Sequence, residues 1–274
     1  VYSHRDGKSF MVRLRTTAGV IPVKKLEFIH NLAKKYDLHK IHITTRQAIQ
    51  LHGVNIDDAC EILKEAIEFG ICTRGVGGDN PGNIAMSALS GVKVGEVFDI
   101  VPYVFAIDDN IKRQVTSYNL PRKLKINLSN DTKDRVHVTA VDLGFLAVKD
   151  GEKNKFKVFI GGGIGRNPRV AVELEKLISP EDVVYHLEAI TNLFMAEGDY
   201  NNHGKARIRY IVERMGEEEF TKCYMKHLSE AFEKFGDSLK VYPTIKEILK
   251  AGIKTDIKSF RLTEQKQDGL YSVY

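Results

Sequence analysis

Strand-like and helix-like patterns alternate over the first 72 residues of the chain. Residues 10–15 end in the period-two alternation of a half-buried strand, and apolar residues recur at helical spacing over 22–36. Residues 41–52 have the pattern of one strand or two short ones, and 57–69 form a second amphipathic helix that Gly70 ends. This order predicts a small unit in which helices pack on a sheet.

The order strand, helix, strand, helix favours a ferredoxin-like half-domain over residues 1–72. After it, residues 73–102 are rich in Gly, Asn, Asp and Ser, and we expect loops there. Strand patterns then follow at 97–106, 123–128, 136–148 and 155–160, and helical patterns at 168–178, 179–197 and 205–235. We therefore expect a second α+β domain over 73–235.

The end of the chain repeats an earlier pattern. We expect residues 236–260 to be a connector with one short helix at 244–251. With one gap, 265–274 resembles 4–12, since both have polar residues, an Asp-Gly pair and an aromatic-led strand. We interpret 261–274 as the first strand of a second, absent repeat, and the chain as the N-terminal half of a longer protein.

Charge and cysteine content exclude several classes of protein. The net charge is +5, and the charges are spread without long runs, so we expect no nucleic-acid partner. The sequence has neither an apolar run of membrane-spanning length nor a signal-peptide layout, so we expect a cytoplasmic protein without a membrane partner. Three cysteines without CxxC spacing indicate no metal site of the chain's own, and they are one short of an iron–sulfur ligand set.

The segment 41–52 combines an apolar face with a polar face. In a continuous strand, one side holds Ile41, Ile43, Ile49 and Leu51, and the other holds His42, Thr44, Arg46, Gln50 and His52. We expect the first side to enter the core. The second side presents hydrogen-bond donors and a guanidinium, which suit carboxylates or a small oxyanion, although a solvated sheet face has the same pattern.

Two lysines share one face of a predicted strand over 120–128. Apolar residues alternate there with polar ones, namely Leu124, Ile126 and Leu128 with Lys123, Lys125 and Asn127. Like charges at this spacing repel each other unless an anion lies between them. The pair indicates either an anionic ligand or two surface lysines.

Six segments follow one another along the chain: Thr-Thr-Arg-Gln at 44–47 with 50–53, Gly-Asp-Asn at 78–80 with Asn83, 120–125, 142–145, 161–165 and 205–210. Taken in this order, they make the chain resemble the siroheme-dependent sulfite and nitrite reductases. The resemblance spans nearly the whole chain. It implies an α+β fold, with a ferredoxin-like half-domain followed by a mixed-sheet siroheme-binding α+β domain, in a protein whose two related halves surround one active site.

The resemblance also implies an activity, the six-electron reduction of sulfite to sulfide or of nitrite to ammonia. Siroheme is the implied cofactor, and a [4Fe–4S] cluster is expected only with the missing C-terminal half. The implied partners are an electron donor, either ferredoxin or a flavoprotein, and the chain's own C-terminal half. We expect this half to be inactive alone.

The resemblance assigns roles to nine residues. Arginines pair with siroheme carboxylates and polar residues assist them, which gives the cofactor-binding set Thr44, Arg46, Asn80, Asn83, Arg122 and Arg207. Lys123 and Lys125 bind the substrate anion and supply positive charge and protons, and His42 adds charge when it is protonated.

Two positions depart from the family pattern. His42 and Gly82 stand where the family has arginines that help to hold the oxyanion. These departures favour an alternative function, a non-catalytic tetrapyrrole-binding or assembly module on the same scaffold. The retained lysines favour the reductase.

Overall fold

The N-terminal unit is an antiparallel sheet in the order β1-β2-β4-β3 that packs against two helices. Its structure comes from a computed structural model that describes residues 1–131, 133, 136–243 and 261–273 of the chain. The elements of this unit are β1 (Tyr2–Ser3), β2 (Phe10–Leu14), α1 (Val23–Lys35), β3 (Lys40–Ile43), β4 (Ile49–Val54) and α2 (Ile56–Glu68). Alternate residues of β2 and β4 are buried with residues of both helices, including Val12, Leu14, Leu51, Ile29, Leu32 and Ile62. The predicted strands and helices of this unit are confirmed.

Residues 41–52 form a hairpin of two strands. β3 pairs with β4 so that Ile41 lies opposite Leu51, and His42 lies opposite Gln50, which confirms the predicted sorting of the two faces. The Thr44 hydroxyl accepts a hydrogen bond from the Ala48 amide at 3.0 Å and closes the turn.

One part of the prediction for 41–52 is wrong. Ile41 and Ile43 are 43% and 72% exposed and do not enter the core. The physical reason is their place on the edge strand of the sheet, because the core cluster contains side chains of β2 and β4 but none of β3.

The second unit is built on a five-stranded mixed sheet in the order β5-β6-β7-β8-β9. Its elements are β5 (Ala85–Met86), α3 (Val101–Arg113), β6 (Ile126–Ser129), β7 (Leu143–Asp150), β8 (Lys153–Ile160), β9 (Val172–Glu173), α4 (Val183–Glu197), α5 (Ile208–Met215) and α6 (Glu217–Phe235). The first three strands are parallel and the last two pairings are antiparallel. α4 is buried along most of its length and packs against α3 and α6. This arrangement confirms the predicted α+β class with a mixed sheet.

Two predicted elements of the second unit are wrong. The apolar run 97–106 leads into helix α3, where Pro102 stands in the first turn and Tyr103, Val104 and Ile107 are buried at helical spacing. Residues 168–178 are not a helix. They run beside β8, where Ile178 exchanges two 3.0 Å backbone hydrogen bonds with Phe156, so strand pairing satisfies backbone groups that a helix would have paired internally.

A buried ion pair joins the two units. Arg15 follows β2, and its Nη2 lies 2.8 Å from Oδ1 of Asp108 on α3, with side chains that are 1% and 0% exposed. Lys112 Nζ and Thr17 Oγ1 each lie 2.7 Å from the other carboxylate oxygen. Burial acts to raise the pKa of Asp108, but these three neighbours outweigh it and hold the pKa below its usual range. The end of β2 is thereby held against α3.

The chain ends in a second hairpin, formed by β10 (Leu262–Glu264) and β11 (Tyr271–Val273). Residues 4–9 close the hairpin of β1 and β2, and 265–270 close this one, each with a glycine at positive φ, Gly7 and Gly269. The aromatic-led strand predicted within 265–274 is confirmed as β11. Its assignment to a second repeat stays a prediction, and the predicted helix at 244–251 lies outside the described residues.

Within the described ranges, every helix is too short or too polar to cross a lipid bilayer.

Candidate functional site

A cavity of about 560 Å³ opens between the N-terminal sheet and the segments that lead into β5 and β6. The polar faces of β2, β3 and β4 form one wall, and residues 76–78, 80, 82–83 and 122–125 form the other. Of the described residues that line it, none is Asp or Glu, and five carry positive charge: Arg13, Arg46, Arg122, Lys123 and Lys125. Such a concentration of one charge in a cleft attracts anions.

The cavity collects most of the residues that the sequence singled out. Eight of the nine predicted site residues line it, although they come from segments far apart in the chain: His42, Thr44, Arg46, Asn80, Asn83, Arg122, Lys123 and Lys125. Arg207 is the exception, since it lies outside this lining.

The backbone around Leu124 directs the two lysines into the cavity. The Leu124 amide donates to the Asn80 carbonyl at 3.2 Å, and the Gly82 amide donates to the Leu124 carbonyl at 3.3 Å. Leu124 is buried in the core, so the residues on either side of it face the other way. The predicted alternation is therefore confirmed, with Lys123 and Lys125 on the cavity side.

Neither lysine ammonium group has a hydrogen-bond partner in the part of the chain that the structure describes. Partial removal from water lowers the pKa of Lys123 and of Lys125. Neighbouring cations lower both further, chiefly Arg122 beside Lys123 and Arg207 beside Lys125. An anion bound between the lysines would relieve this repulsion.

Arg46 lines the cavity but also holds its two walls together. Its guanidinium donates to the Asn127 side chain, to the Asn83 carbonyl at 2.5 Å and to the Ile126 carbonyl at 2.9 Å. Burial lowers its pKa to about 10. Arg46 thus fastens the turn between β3 and β4 to β6.

The other two predicted arginines are both paired with carboxylates. Arg122 donates to Asp79 at 3.1 Å and stays partly exposed. Arg207, at the start of α5, pairs with Asp142 at 2.6 Å in a buried contact behind Lys125, whose amide donates to the same carboxylate oxygen at 2.8 Å. Arg122 is therefore the more accessible of the two to a bound ligand.

Polar atoms near the cavity are buried without a partner among the described residues. They include the Asn83 side-chain oxygen, Nε of Arg207 and Oδ1 of Asp142. Buried polar groups are normally satisfied in a folded protein, so these atoms indicate a polar ligand or water at this place.

Two cavity residues were missed by the reasoning from sequence. Arg13 of β2 donates to the Val76 carbonyl at 3.0 Å, and its guanidinium lies 5.3 Å from the centre of the Tyr2 ring. The only available signal was the alternation of β2, which places Arg13 on the side opposite the core residues Val12 and Leu14. No sequence pattern identified Tyr2 as a cavity residue, because its place there depends on how it packs against the other wall.

The three cysteines are free and do not gather into a metal site. Cys60 is exposed on α2, while Cys72 and Cys223 are partly buried. The described ranges of the chain contain no group of three or more His, Cys, Asp or Glu placed to hold a metal ion.

Comparison with known families matches both units. The Nitrite/Sulfite reductase ferredoxin-like half domain matches residues 2–69, and the Nitrite and sulphite reductase 4Fe-4S domain matches residues 77–232. Ferredoxin–nitrite reductase of Synechococcus elongatus is 31% identical over 81% of this chain and 44% of its own length. Sulfite reductase [ferredoxin] 1 of Mycolicibacterium paratuberculosis is 30% identical over 78% of this chain and 39% of its own length. The chain therefore spans less than half the length of these relatives.

Solved structures have the same fold. The NirA protein of Mycobacterium tuberculosis superposes with a TM-score of 0.76 at 23% identity, over 98% of this chain and 48% of that one. Dissimilatory sulfite reductase I superposes with a TM-score of 0.68 at 13% identity, over 79% of this chain and 69% of that one. At these identities the likeness establishes the α+β fold of both units.

Proposed function

Because this chain belongs to the nitrite and sulfite reductase family, we propose that it forms one half of an enzyme that reduces sulfite to sulfide or nitrite to ammonia. The observation that carries this proposal is the cavity with five cationic side chains and no carboxylate among its described lining residues. The relatives are more than twice as long as the segment matched, which supports a second half that completes the site. This half is expected to be inactive without it.

Siroheme fits the chemistry of this cavity. The family depends on siroheme and a 4Fe–4S cluster, and siroheme is a macrocycle with eight carboxylates, which complement clustered arginines and lysines. In this proposal the residues that hold it are Thr44, Arg46, Asn80, Asn83, Arg122 and Arg207. Bound siroheme would supply the iron at which the oxyanion is reduced. Arg122 is the best placed, while Arg207 would have to share its guanidinium with Asp142.

A 4Fe–4S cluster does not fit the described residues of this chain. It needs four thiolates, and the three cysteines do not come together. We assign the cluster ligands to the second half and derive no redox role for Cys60, Cys72 or Cys223. The names of the relatives support ferredoxin as the electron donor.

Lys123 and Lys125 are the proposed substrate-binding pair. Each oxygen that leaves a reduced oxyanion departs as water and requires protons and positive charge. A lysine with a lowered pKa is a better proton donor at neutral pH than an ordinary lysine, because its pKa lies closer to the working pH. His42, on the cavity wall, adds charge when it is protonated.

The test is anaerobic reconstitution, with siroheme, iron and sulfide, of the natural protein that contains this chain. We expect Lys123→Ala and Lys125→Ala to lower turnover with nitrite or sulfite by about 100-fold or more, with the siroheme absorption band retained. Lys149→Ala, at an exposed lysine of β7, is the matched control. Absence of the band in the parent protein, or unchanged turnover in both variants, would contradict the proposal.

A non-catalytic tetrapyrrole-binding module is the second candidate. It is favoured by His42 and Gly82, which leave the cavity without two of the family's arginines. Titration of sulfite and nitrite into the siroheme-loaded protein separates the two functions. A spectral change that saturates supports the reductase, and an unchanged spectrum with both anions supports the binding module.

A further inference from the structure

A glutamine links a histidine to a cavity arginine on the polar face of the N-terminal sheet. Arg13 of β2 lies directly opposite Gln50 of β4, and His52 follows two residues later on the same face. The His52 Nε2 atom and the Gln50 amide are 3.0 Å apart. When the amide is oriented to satisfy both of its ends, its NH₂ donates to His52 Nε2. Its oxygen then accepts from Arg13 at 2.7 Å (Nη2) and 3.2 Å (Nε).

This geometry requires a neutral His52 ring. An Nε2 that accepts a hydrogen bond carries a lone pair, so the ring proton is on Nδ1. The groups that face the ring are cationic or can become so: His4 with its ring centre at 5.2 Å, His42 at 6.1 Å, Lys40 opposite it on β3, and Arg13. Partial burial and then these neighbours lower the pKa of His52, which keeps the ring neutral at neutral pH.

Arg13 is held in place by three contacts. Gln50 accepts from it, Val76 accepts from Nη1 at 3.0 Å, and the Tyr2 ring lies under the guanidinium at 5.3 Å. A protonated His52 would donate from Nε2, so the Gln50 oxygen would have to turn toward it. The NH₂ of Gln50 would then face the N–H groups of Arg13, and Arg13 would lose its two bonds to Gln50.

We propose that His52 and Gln50 are positioning residues for Arg13, and that protonation of His52 releases the Arg13 guanidinium from its fixed place on the cavity wall. The anion that this guanidinium would meet is the oxyanion or carboxylate bound in the cavity. The role of the link from His52 through Gln50 to Arg13 therefore rests on the proposed function. Orientation in advance of binding increases affinity, because less freedom is lost when the anion arrives.

The experiment uses the natural protein that contains this chain, prepared without cofactor and labelled with ¹⁵N in histidine and arginine. At neutral pH we expect a pyridine-type ¹⁵N shift at His52 Nε2 and slow exchange of the Arg13 Nε–H with water. As the pH falls, protonation of His52 and loss of protection at the Arg13 Nε–H, measured against the exchange rate of a free arginine at the same pH, are expected to share one midpoint. Inorganic sulfite is the anion probe, followed through the Arg13 signals.

Two variants separate positioning from a general loss of structure. In Gln50→Leu we expect the Arg13 Nε–H to be unprotected at all pH values, relative to a free arginine, and the affinity for sulfite to fall by about 10-fold. In Gln50→Glu a carboxylate accepts from both neighbours, so protonation of His52 is expected at higher pH and Arg13 stays protected on both sides of that midpoint. His39→Gln, at an exposed histidine between α1 and β3, is the control and should leave the coupling intact.

The inference is overturned if the proton of neutral His52 is on Nε2, or if Arg13 exchange in Gln50→Leu matches the parent chain. If Gln50→Leu fails to fold, the Gln50→Glu variant decides. The proposal is contradicted if its His52 midpoint and its loss of Arg13 protection at that midpoint are both unchanged from the parent chain. None of these measurements needs siroheme or turnover. An inactive reconstituted protein with intact coupling would therefore overturn only the proposed function, and an active one without coupling would overturn only this inference.

Discussion

Two glycines show how single residues shape the cavity. A Cβ atom added at Gly82 would meet no atom within 4 Å, whereas one added at Gly77 would collide with the Tyr2 hydroxyl. Neither residue has a positive φ, so the difference between them is a matter of space. The cavity wall is therefore open at Gly82 and closed at Gly77.

We predict that Gly82→Arg is tolerated and strengthens anion binding. The added side chain enters open space, so the free energy of unfolding should change by less than about 1 kcal/mol. One more charge-assisted hydrogen bond should increase the affinity for sulfite or nitrite by about 10-fold in the siroheme-loaded protein. Calorimetric titration measures the affinity and urea unfolding the stability. Gly77→Ala is the contrasting variant, and equal stability losses in the two would contradict the steric argument.

The packing of α4 against α6 includes one buried polar pair. The His186 Nδ1 lies 2.6 Å from the Tyr224 hydroxyl, and both side chains are buried. Burial lowers the pKa of His186 to about 3, and it raises the pKa of Tyr224. The ring is therefore neutral in the folded protein and accepts a hydrogen bond from the tyrosine.

We predict that His186 makes the second unit less stable in acid. Between pH 6.5 and 3 the unfolded chain binds a proton at this residue that the folded chain does not, so the free energy of unfolding falls as the pH falls. The slope from this group is about 1.4 kcal/mol per pH unit. His186→Gln should have a lower free energy of unfolding than the parent chain at pH 7. Its free energy of unfolding should no longer contain the decrease with falling pH that His186 contributes.

Urea unfolding at several pH values between 6.5 and 4 measures the difference in slope between the parent and His186→Gln. His30→Gln, at an exposed histidine of α1, should keep the slope of the parent chain. Identical slopes in the parent and His186→Gln would show that this histidine binds its proton equally well in the folded and unfolded states, which would contradict the lowered pKa.

At the scale of the whole molecule, the cavity exists because two units are held together. One wall comes from the N-terminal sheet and the other from segments of the second unit. The buried pair of Arg15 and Asp108 lies at this junction, and the Arg46 guanidinium connects the turn after β3 to β6. A loss of either contact is expected to affect the cavity as well as stability.

We predict that Asp108→Asn destabilises the chain by about 3 kcal/mol or more, because it leaves the Arg15 guanidinium buried without its counter-charge. The pKa of Asp108 is lowered on folding, so the contribution of its charge is present above the usual Asp pKa and is lost as the pH falls. Thermal and urea unfolding measure the change. Asp109→Asn is the matched control, since this neighbouring carboxylate is 58% exposed and its contact with Lys112 should contribute less than about 1 kcal/mol. Similar decreases in the free energy of unfolding of Asp108→Asn and Asp109→Asn would contradict the large contribution assigned to the buried pair of Arg15 and Asp108.

Features that depend on local periodicity could be predicted from the sequence. The two helices of the N-terminal unit, the faces of β3 and β4, and the placement of Lys123 and Lys125 all follow from spacings of two or about 3.6 residues, which neighbouring residues impose. The assignments failed where an apolar run was too short to distinguish a strand from a helix, as at 97–106. They also failed where backbone pairing with β8 outweighed a helical pattern, as at 168–178.

Features that depend on contacts between distant segments required the tertiary structure. Local spacing placed His42 and Lys125 on polar faces, and the resemblance singled out Asn80, but only the fold brings the three residues to one cavity. The pairing of Arg207 with Asp142 and the contact of Gln50 with Arg13 join residues whose separation along the chain carries no signal. The sequence thus determined which side chains face away from the core, because that follows from backbone geometry. The packing of the two units decided which of those side chains meet, because burial and charge act through space.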